Sequence, residues 1–201
     1  MPRLTGDHAE FCSQVDGLID LCANITLLSP HHRKAVAEIA LLRAFDLMQG
    51  VFQTTATKLV CGACYLDGSI ANVLLPARSQ SAALTNMSTH GRVQPKHRLR
   101  WSQVSEIKDN CKFVVQTTEH FLTTLTFHSS IIDEMRNVRN KIAHNNADSR
   151  TKYQVVVKRY YGAEMKQISP GTLLLSDRFI PKLINQYLAQ SKVLVKQMLK
   201  G

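Results

Sequence analysis

Ile131-Ile132-Asp133-Glu134-Met135-Arg136-Asn137-Val138-Arg139-Asn140-Lys141-Ile142-Ala143-His144-Asn145-Asn146 reads as an amphipathic helix. At about 100° per residue, Ile131, Met135, Val138 and Ile142 fall in one narrow stripe that packs against other helices. Each such side chain contributes roughly 1.5–3 kcal/mol when fully buried. Ser130 precedes the run as an N-cap, with Asp133 three residues on as a variant of the capping box. The spacing therefore predicts a helix over about 131–147. Arg136, Asn140 and His144 recur every four residues and form a ridge. Arg139 flanks that ridge, and the small Ala143 leaves a shallow floor between the Arg139 and His144 side chains.

The same period recurs upstream. Phe11, Val15, Leu18, Ile19, Cys22 and Ile25 predict a first helix over 7–28. Ser29-Pro30 combines an N-cap with a proline suited to the first helical position. Beyond it, Val36, Ile39, Leu42, Phe45, Met48 and Phe52 predict a long helix over 31–65. Asp67-Gly68 marks a turn, residues 66–78 read as irregular, and a short helix is expected over 79–90. A basic loop, Gly91–Trp101, leads to Ser102, which can cap a helix over 103–128. Val104, Ile107, Cys111, Val114, Val115, Phe121 and Leu122 supply its apolar positions.

Downstream the pattern changes. Lys152-Tyr153-Gln154-Val155-Val156-Val157-Lys158-Arg159-Tyr160-Tyr161 is rich in β-branched and aromatic residues and stops at Gly162. Ser169-Pro170-Gly171 then leads into Thr172-Leu173-Leu174-Leu175. The two runs predict a small β-hairpin at about 151–176. A last helix over 177–199 has Pro181 in its first turns. Lys192, Lys196 and Lys200 lie towards its C-terminus, where they suit the negative end of the helix dipole. The expected fold is mainly α: a bundle of about five helices with the hairpin inserted before the last one, in a single domain over 1–201.

A hydrophobic fraction of 44% with 20% charged residues is that of an ordinary globular chain. No stretch approaches the roughly 20 apolar residues of a membrane span. The opening residues, Met1-Pro2-Arg3-Leu4, lack the apolar core of a signal peptide, so a cytoplasmic protein is expected. Cys12, Cys22, Cys61, Cys64 and Cys111 are odd in number and scattered, unlike a secreted disulfide framework. Cys61-Gly62-Ala63-Cys64 is a single C-x2-C without a second pair at finger-like spacing, and His31-His32 is distant from it. Helix packing is therefore favoured there over zinc, and no metal or other cofactor is expected. Phosphate-binding loops and a G-x-S-x-G elbow are absent, which leaves ATPase, dehydrogenase and esterase readings without support. The formal net charge of +10, with pI near 9.6, attracts polyanions.

Arg139, Asn140 and His144 suit phosphodiester chemistry. An imidazole can give and take protons near neutral pH, and positioned acid–base catalysis contributes typically about 10²–10⁴ in rate. A guanidinium presents a charged planar fork to phosphate oxygens and can stabilise charge that builds up in a transition state. Asn140 can orient the imidazole or a substrate hydroxyl. A polar helix face that is simply solvated is the alternative for the same residues.

Arg139-Asn140-Lys141-Ile142-Ala143-His144 resembles the Arg-x4–6-His signature of HEPN-domain ribonucleases, with the polar residue that commonly follows the Arg present as Asn140. The motif's place near the end of a late helix is similar too. The resemblance implies a HEPN-like helical bundle that dimerises with the motif helices facing across a cleft. It also implies metal-independent RNA cleavage by 2′-OH attack, leaving a 2′,3′-cyclic phosphate and a 5′-hydroxyl. Stand-alone domains of this kind belong to toxin–antitoxin and phage-defence systems, so an antitoxin or defence partner is expected. His144 then acts as general acid/base, Arg139 stabilises the phosphorane-like state and Asn140 orients. A non-catalytic HEPN module that binds RNA or a partner protein is the alternative. One departure is Asn146, where toxins paired with a nucleotidyltransferase antitoxin carry Tyr.

Further RNA contacts are expected from Arg136, Lys141 and Asn145 beside the motif, and from Lys158 and Arg159 in the predicted hairpin. Arg98, Arg100 and Trp101 in the basic loop add charge and a stacking surface, at roughly 1–3 kcal/mol per stacked base. The competing reading is a solvated loop whose Trp101 anchors in the core.

Overall fold

The computed structural model describes residues 3–144 and 146–201. Among the described residues there are nine α-helices: α1 Thr5–Ala23, α2 Pro30–Val60, α3 Gln80–Thr89, α4 Val104–Cys111, α5 His120–Phe127, α6 Ser129–Ala143, α7 Ala147–Tyr161, α8 Pro170–Leu174 and α9 Leu183–Lys200. A 3-10 turn, Asn24–Leu27, follows α1. The mainly α expectation holds, but with nine helices among the described residues in place of about five, and none of them is long and apolar enough to cross a membrane. The chain divides into two compact units. The first comprises Met1–Cys12, Leu47–Ile132 and Lys192–Gly201, and the second Ser13–Asp46 and Asp133–Ser191.

In the first unit, α2 stops earlier than its apolar pattern suggests. Gly62 takes φ +82, its N–H donates to Leu59 O at 2.9 Å, and Ala63 N–H donates to Lys58 O at 2.9 Å. This pair of bonds is a Schellman cap, which needs a left-handed residue where only glycine is unstrained. Cys61-Gly62-Ala63-Cys64 is thus the exit of a helix. Helix α3 forms as expected, with Ser79 Oγ accepting from Ala82 N–H at 3.2 Å.

The single helix expected over 103–128 is instead two, α4 and α5. Between them Leu74 N–H donates to Val114 O at 2.9 Å and Gln116 N–H to Asn72 O at 3.0 Å. Val114 and Val115 are both buried, and the antiparallel bridge between Val73 and Val115 takes up backbone groups that a continuous helix would pair within itself. Glu119 closes the segment. Its buried carboxylate accepts from Tyr65 Oη at 2.7 Å and from Asn72 N–H at 2.6 Å.

In the second unit the expected hairpin is absent, and its first strand is helix α7. Tyr153, Val156 and Val157 are buried at a helical spacing while Lys152, Val155, Lys158 and Arg159 are exposed. Asn146 caps the start, its Oδ1 accepting from Ser149 N–H at 2.8 Å, and Gly162 ends the helix at φ +75. Two well-formed ends and a buried face at periodicity 3.6 override the β propensity of the Val-Val-Val run. The second run is α8, where Ser169 caps Thr172 N–H at 3.3 Å and Pro170 occupies the first turn. Gly171 N–H donates to Glu38 Oε1 at 2.7 Å, and a Cβ on Gly171 would lie 2.6 Å from Lys34 Cβ. α9 begins only after Pro181, at Leu183.

Candidate functional site

Helix α6 places the motif. Met135 and Val138, the centre of the stripe inferred from spacing, are fully buried, while Ile131 and Ile142 at its ends are half-buried and Ile132, outside the stripe, is fully buried. Glu134 is also buried, at 5% exposure, which the spacing did not reveal. Its carboxylate accepts from Tyr187 Oη at 2.6 Å, from Arg159 Nη1 at 2.8 Å and from Tyr160 Oη. A buried carboxylate is tolerated only when paired and hydrogen-bonded, and three donors provide that. Burial, with the Glu134 charge, pushes the ionisation of Tyr187 and of Tyr160 well above the ordinary phenol range. Both phenols therefore remain donors, and they tie α6 to α7 and α9.

Five residues beyond Glu134, Arg139 is held from two sides. Its Nη1 donates to Asn140 Oδ1 at 3.3 Å, and its Nη2 lies 3.8 Å from Asp46 Oδ1. Its side chain is 27% exposed and that of Asp46 54%. Arg139 Nε is buried and has no hydrogen-bond acceptor among the described residues. Asn140 therefore orients the guanidinium; no contact to the imidazole is seen from its amide. Asp46, in α2, is a site residue that spacing cannot reveal, because 93 positions separate it from Arg139 in the chain.

His144 lies one turn beyond Asn140, just past the end of α6. Its N–H donates to Asn140 O at 2.8 Å, and its carbonyl accepts from Ser149 Oγ. Ser149 Oγ also donates to Asn146 O at 3.0 Å, so a buried serine pins the turn from α6 into α7. The imidazole is exposed and makes no hydrogen bond among the described residues. The helix expected to reach 147 ends at Ala143 because Asn146 starts the next one rather than closing this one. The arrangement offers a wet imidazole at a helix end and, five residues earlier, a partly covered guanidinium whose fork is set by an amide and a carboxylate.

The remaining candidates are distributed. Arg136 pairs with Asp133 at 3.3 Å, Lys141 is half-buried, and Asn145 lies outside the described residues. Lys158 is exposed on α7, and Arg159 is committed to Glu134. Arg98, Arg100 and Trp101 belong to the first unit rather than to the unit that carries the motif. Arg98 is exposed and Arg100 lies 3.3 Å from Glu106. Trp101 is only 6% exposed, so its ring anchors the loop and offers no face for base stacking. Among the described residues, no group of three or more His, Cys, Asp or Glu is placed to hold a metal ion.

No protein-family model, curated protein or solved structure matches the chain.

Proposed function

We propose that the protein is a metal-independent endoribonuclease of the HEPN type, acting on single-stranded RNA as a homodimer in a toxin–antitoxin or phage-defence setting in the cytoplasm. In this reading the helices elaborate a HEPN-like bundle. The ribose 2′-oxygen forms a bond to the adjacent phosphorus while the bond from phosphorus to the 5′-oxygen breaks. The 2′-OH proton is lost to a base and the departing 5′-oxygen is protonated, which is the work of His144. Arg139 neutralises charge on the non-bridging oxygens, with Asn140 and Asp46 fixing its fork. The products are a 2′,3′-cyclic phosphate and a 5′-hydroxyl.

The observation that carries this reading is the exposed imidazole of His144 five residues along the chain from a guanidinium that is already oriented. The net charge of +10 supports a polyanionic substrate. A second reading, a non-catalytic module that binds RNA or a partner protein, draws on the engagement of Arg139 by Asp46 and Asn140, which also suits a purely structural arginine. A gel assay on single-stranded RNA in EDTA separates the two. The nuclease reading expects cleavage by the wild type and none by His144→Ala; the binding reading expects a complex with both and product with neither.

A further inference from the structure

The first unit holds a concentration of positive charge that the motif does not explain. Asp109, in α4, is met by three cations. Arg92 Nη1 lies 3.2 Å from its Oδ2, Lys112 Nζ lies 2.8 Å from its Oδ1, and Lys96 Nζ also meets Oδ2. Elsewhere Lys58–Asp7, Arg100–Glu106, Lys152–Asp148 and Arg159–Glu134 each set one cation against one carboxylate. At Asp109 two positive charges are left over. The three cations hold the Asp109 carboxyl well below the usual carboxylate range, so that it stays charged and the surplus is independent of pH across the physiological range.

The cluster is built, not a tangle of mobile side chains. Arg92 is nearly buried, with Nε donating to Met87 O at 2.9 Å and Nη2 donating to Asp109 O. Lys96 Nζ donates to Asn110 Oδ1 at 2.9 Å. The Phe113 ring lies against Lys112 Nζ at 4.8 Å and Arg92 Cζ at 5.7 Å, and Gly91 presses on the same ring so closely that a Cβ would lie 2.8 Å from it. Lys96 and Lys112 keep 29% and 43% of their side-chain surface open to solvent. Arg98 and Lys108 are exposed nearby in sequence.

We infer that this cluster is a docking site for the phosphate backbone of single-stranded RNA, separate from the chemistry at His144. Surplus fixed cations that release the counterions of a polyphosphate are the means by which proteins hold nucleic acid without reading its sequence. An anionic membrane could use the same charge, but interfacial binding calls for a broad apolar face, whereas in Gly91–Trp101 Val93 is exposed but Leu99 is half-buried and the one tryptophan is buried. The inference rests on RNA being the substrate, but it does not need the protein to cleave it.

The test uses the full chain and a fluorescein-labelled 2′-O-methyl oligonucleotide, which presents the phosphates but no attacking hydroxyl. Affinity is followed by anisotropy over a series of KCl concentrations. Removing one lysine that neutralises a phosphate should flatten the slope of log K against log [salt] by about 0.7 for a single strand. Lys96→Ala/Lys112→Ala should therefore lower the slope by about 1.4, with Lys112→Ala alone giving half the effect. Asp109→Asn, which removes the carboxylate at the centre of the cluster and keeps the side-chain shape, should tighten binding. Thermal melts confirm that each variant is folded, and Lys112→Ala, at an exposed end, covers the case in which the double variant is not. Unchanged slopes, or weaker binding by a folded Asp109→Asn, overturn the site even if the wild type cleaves RNA. Loss of binding in the lysine variants without any cleavage by the wild type supports the site and removes the nuclease reading alone. Failure of the wild type to bind RNA overturns the site, as does lysine-dependent binding only to phosphatidylserine vesicles.

Discussion

Tyr187→Phe removes one hydroxyl from a fully buried ring and leaves Glu134 with two donors in place of three. The bond removed, 2.6 Å long, runs from a neutral donor to a charged acceptor. Hydrogen bonds to charged groups contribute roughly 1.5–3 kcal/mol net. The space vacated by one oxygen is too small to add a sizeable cavity cost, so the expected loss is about 2 kcal/mol. Arg159→Ala also removes a donor from Glu134, but the Arg159 side chain is 63% exposed. Solvent screens that pair and water replaces the guanidinium, so a loss of only about 0–1 kcal/mol is expected. The order is the sharp part: the neutral, buried phenol matters more than the charged, exposed arginine. Urea unfolding followed by far-UV circular dichroism measures both. Tyr160 and Tyr187 share Oε1 of Glu134, so Tyr160→Phe/Tyr187→Phe should deviate from additivity by about 0.5 kcal/mol or more. If Arg159→Ala costs more than Tyr187→Phe, the account of Glu134 as a carboxylate held by buried phenols is refuted.

Two further outcomes follow from the same packing. Burial raises the ionisation of Tyr65, Tyr153 and Tyr187 above the ordinary phenol value. The folded state then holds protons that the unfolded state gives up, so the contribution of these tyrosines to stability is constant below about pH 10 and falls as pH rises beyond it, by up to about 1.4 kcal/mol per unit for each such tyrosine. Urea midpoints across alkaline pH would show this, with a shallower fall in Tyr187→Phe; a flat profile above pH 10 contradicts it. Asn146→Ala removes the cap of α7 and should cost about 0.5–2 kcal/mol in the same unfolding assay, whereas Asn146→Asp should be close to neutral. Equal losses from both substitutions would mean that the cap bond is not what starts the helix.

Much of the helical fold was legible because its signals are local. Met135 and Val138 of the α6 core face stand in the sequence at helical spacing, and Ser29-Pro30 marks a helix start by its chemistry. What could not be read depended on contacts between distant positions. Val155-Val156-Val157 has the composition of a strand, and only the burial of Tyr153, Val156 and Val157 on one face reveals α7. Val114-Val115 fits a helical pattern in isolation, and pairing with 72–75 draws the backbone out of it. For the candidate site, Arg139, Asn140 and His144 were legible as a motif on a polar face. Asp46, Glu134 and Ser149, which hold the guanidinium, the helix and the turn, were not, because their partners lie on other elements or their roles depend on where one helix stops and the next begins.

The reading of His144 and Arg139 as reacting groups is tested most directly by the products formed on RNA. Single-stranded RNA incubated in EDTA with the wild type should yield fragments ending in a 2′,3′-cyclic phosphate and starting with a 5′-hydroxyl, identified by mass spectrometry. Folded His144→Ala should yield none, and Arg139→Lys should be slowed severely, because an ammonium cannot replace a planar fork. Identical product formation by wild type and His144→Ala would contradict the account.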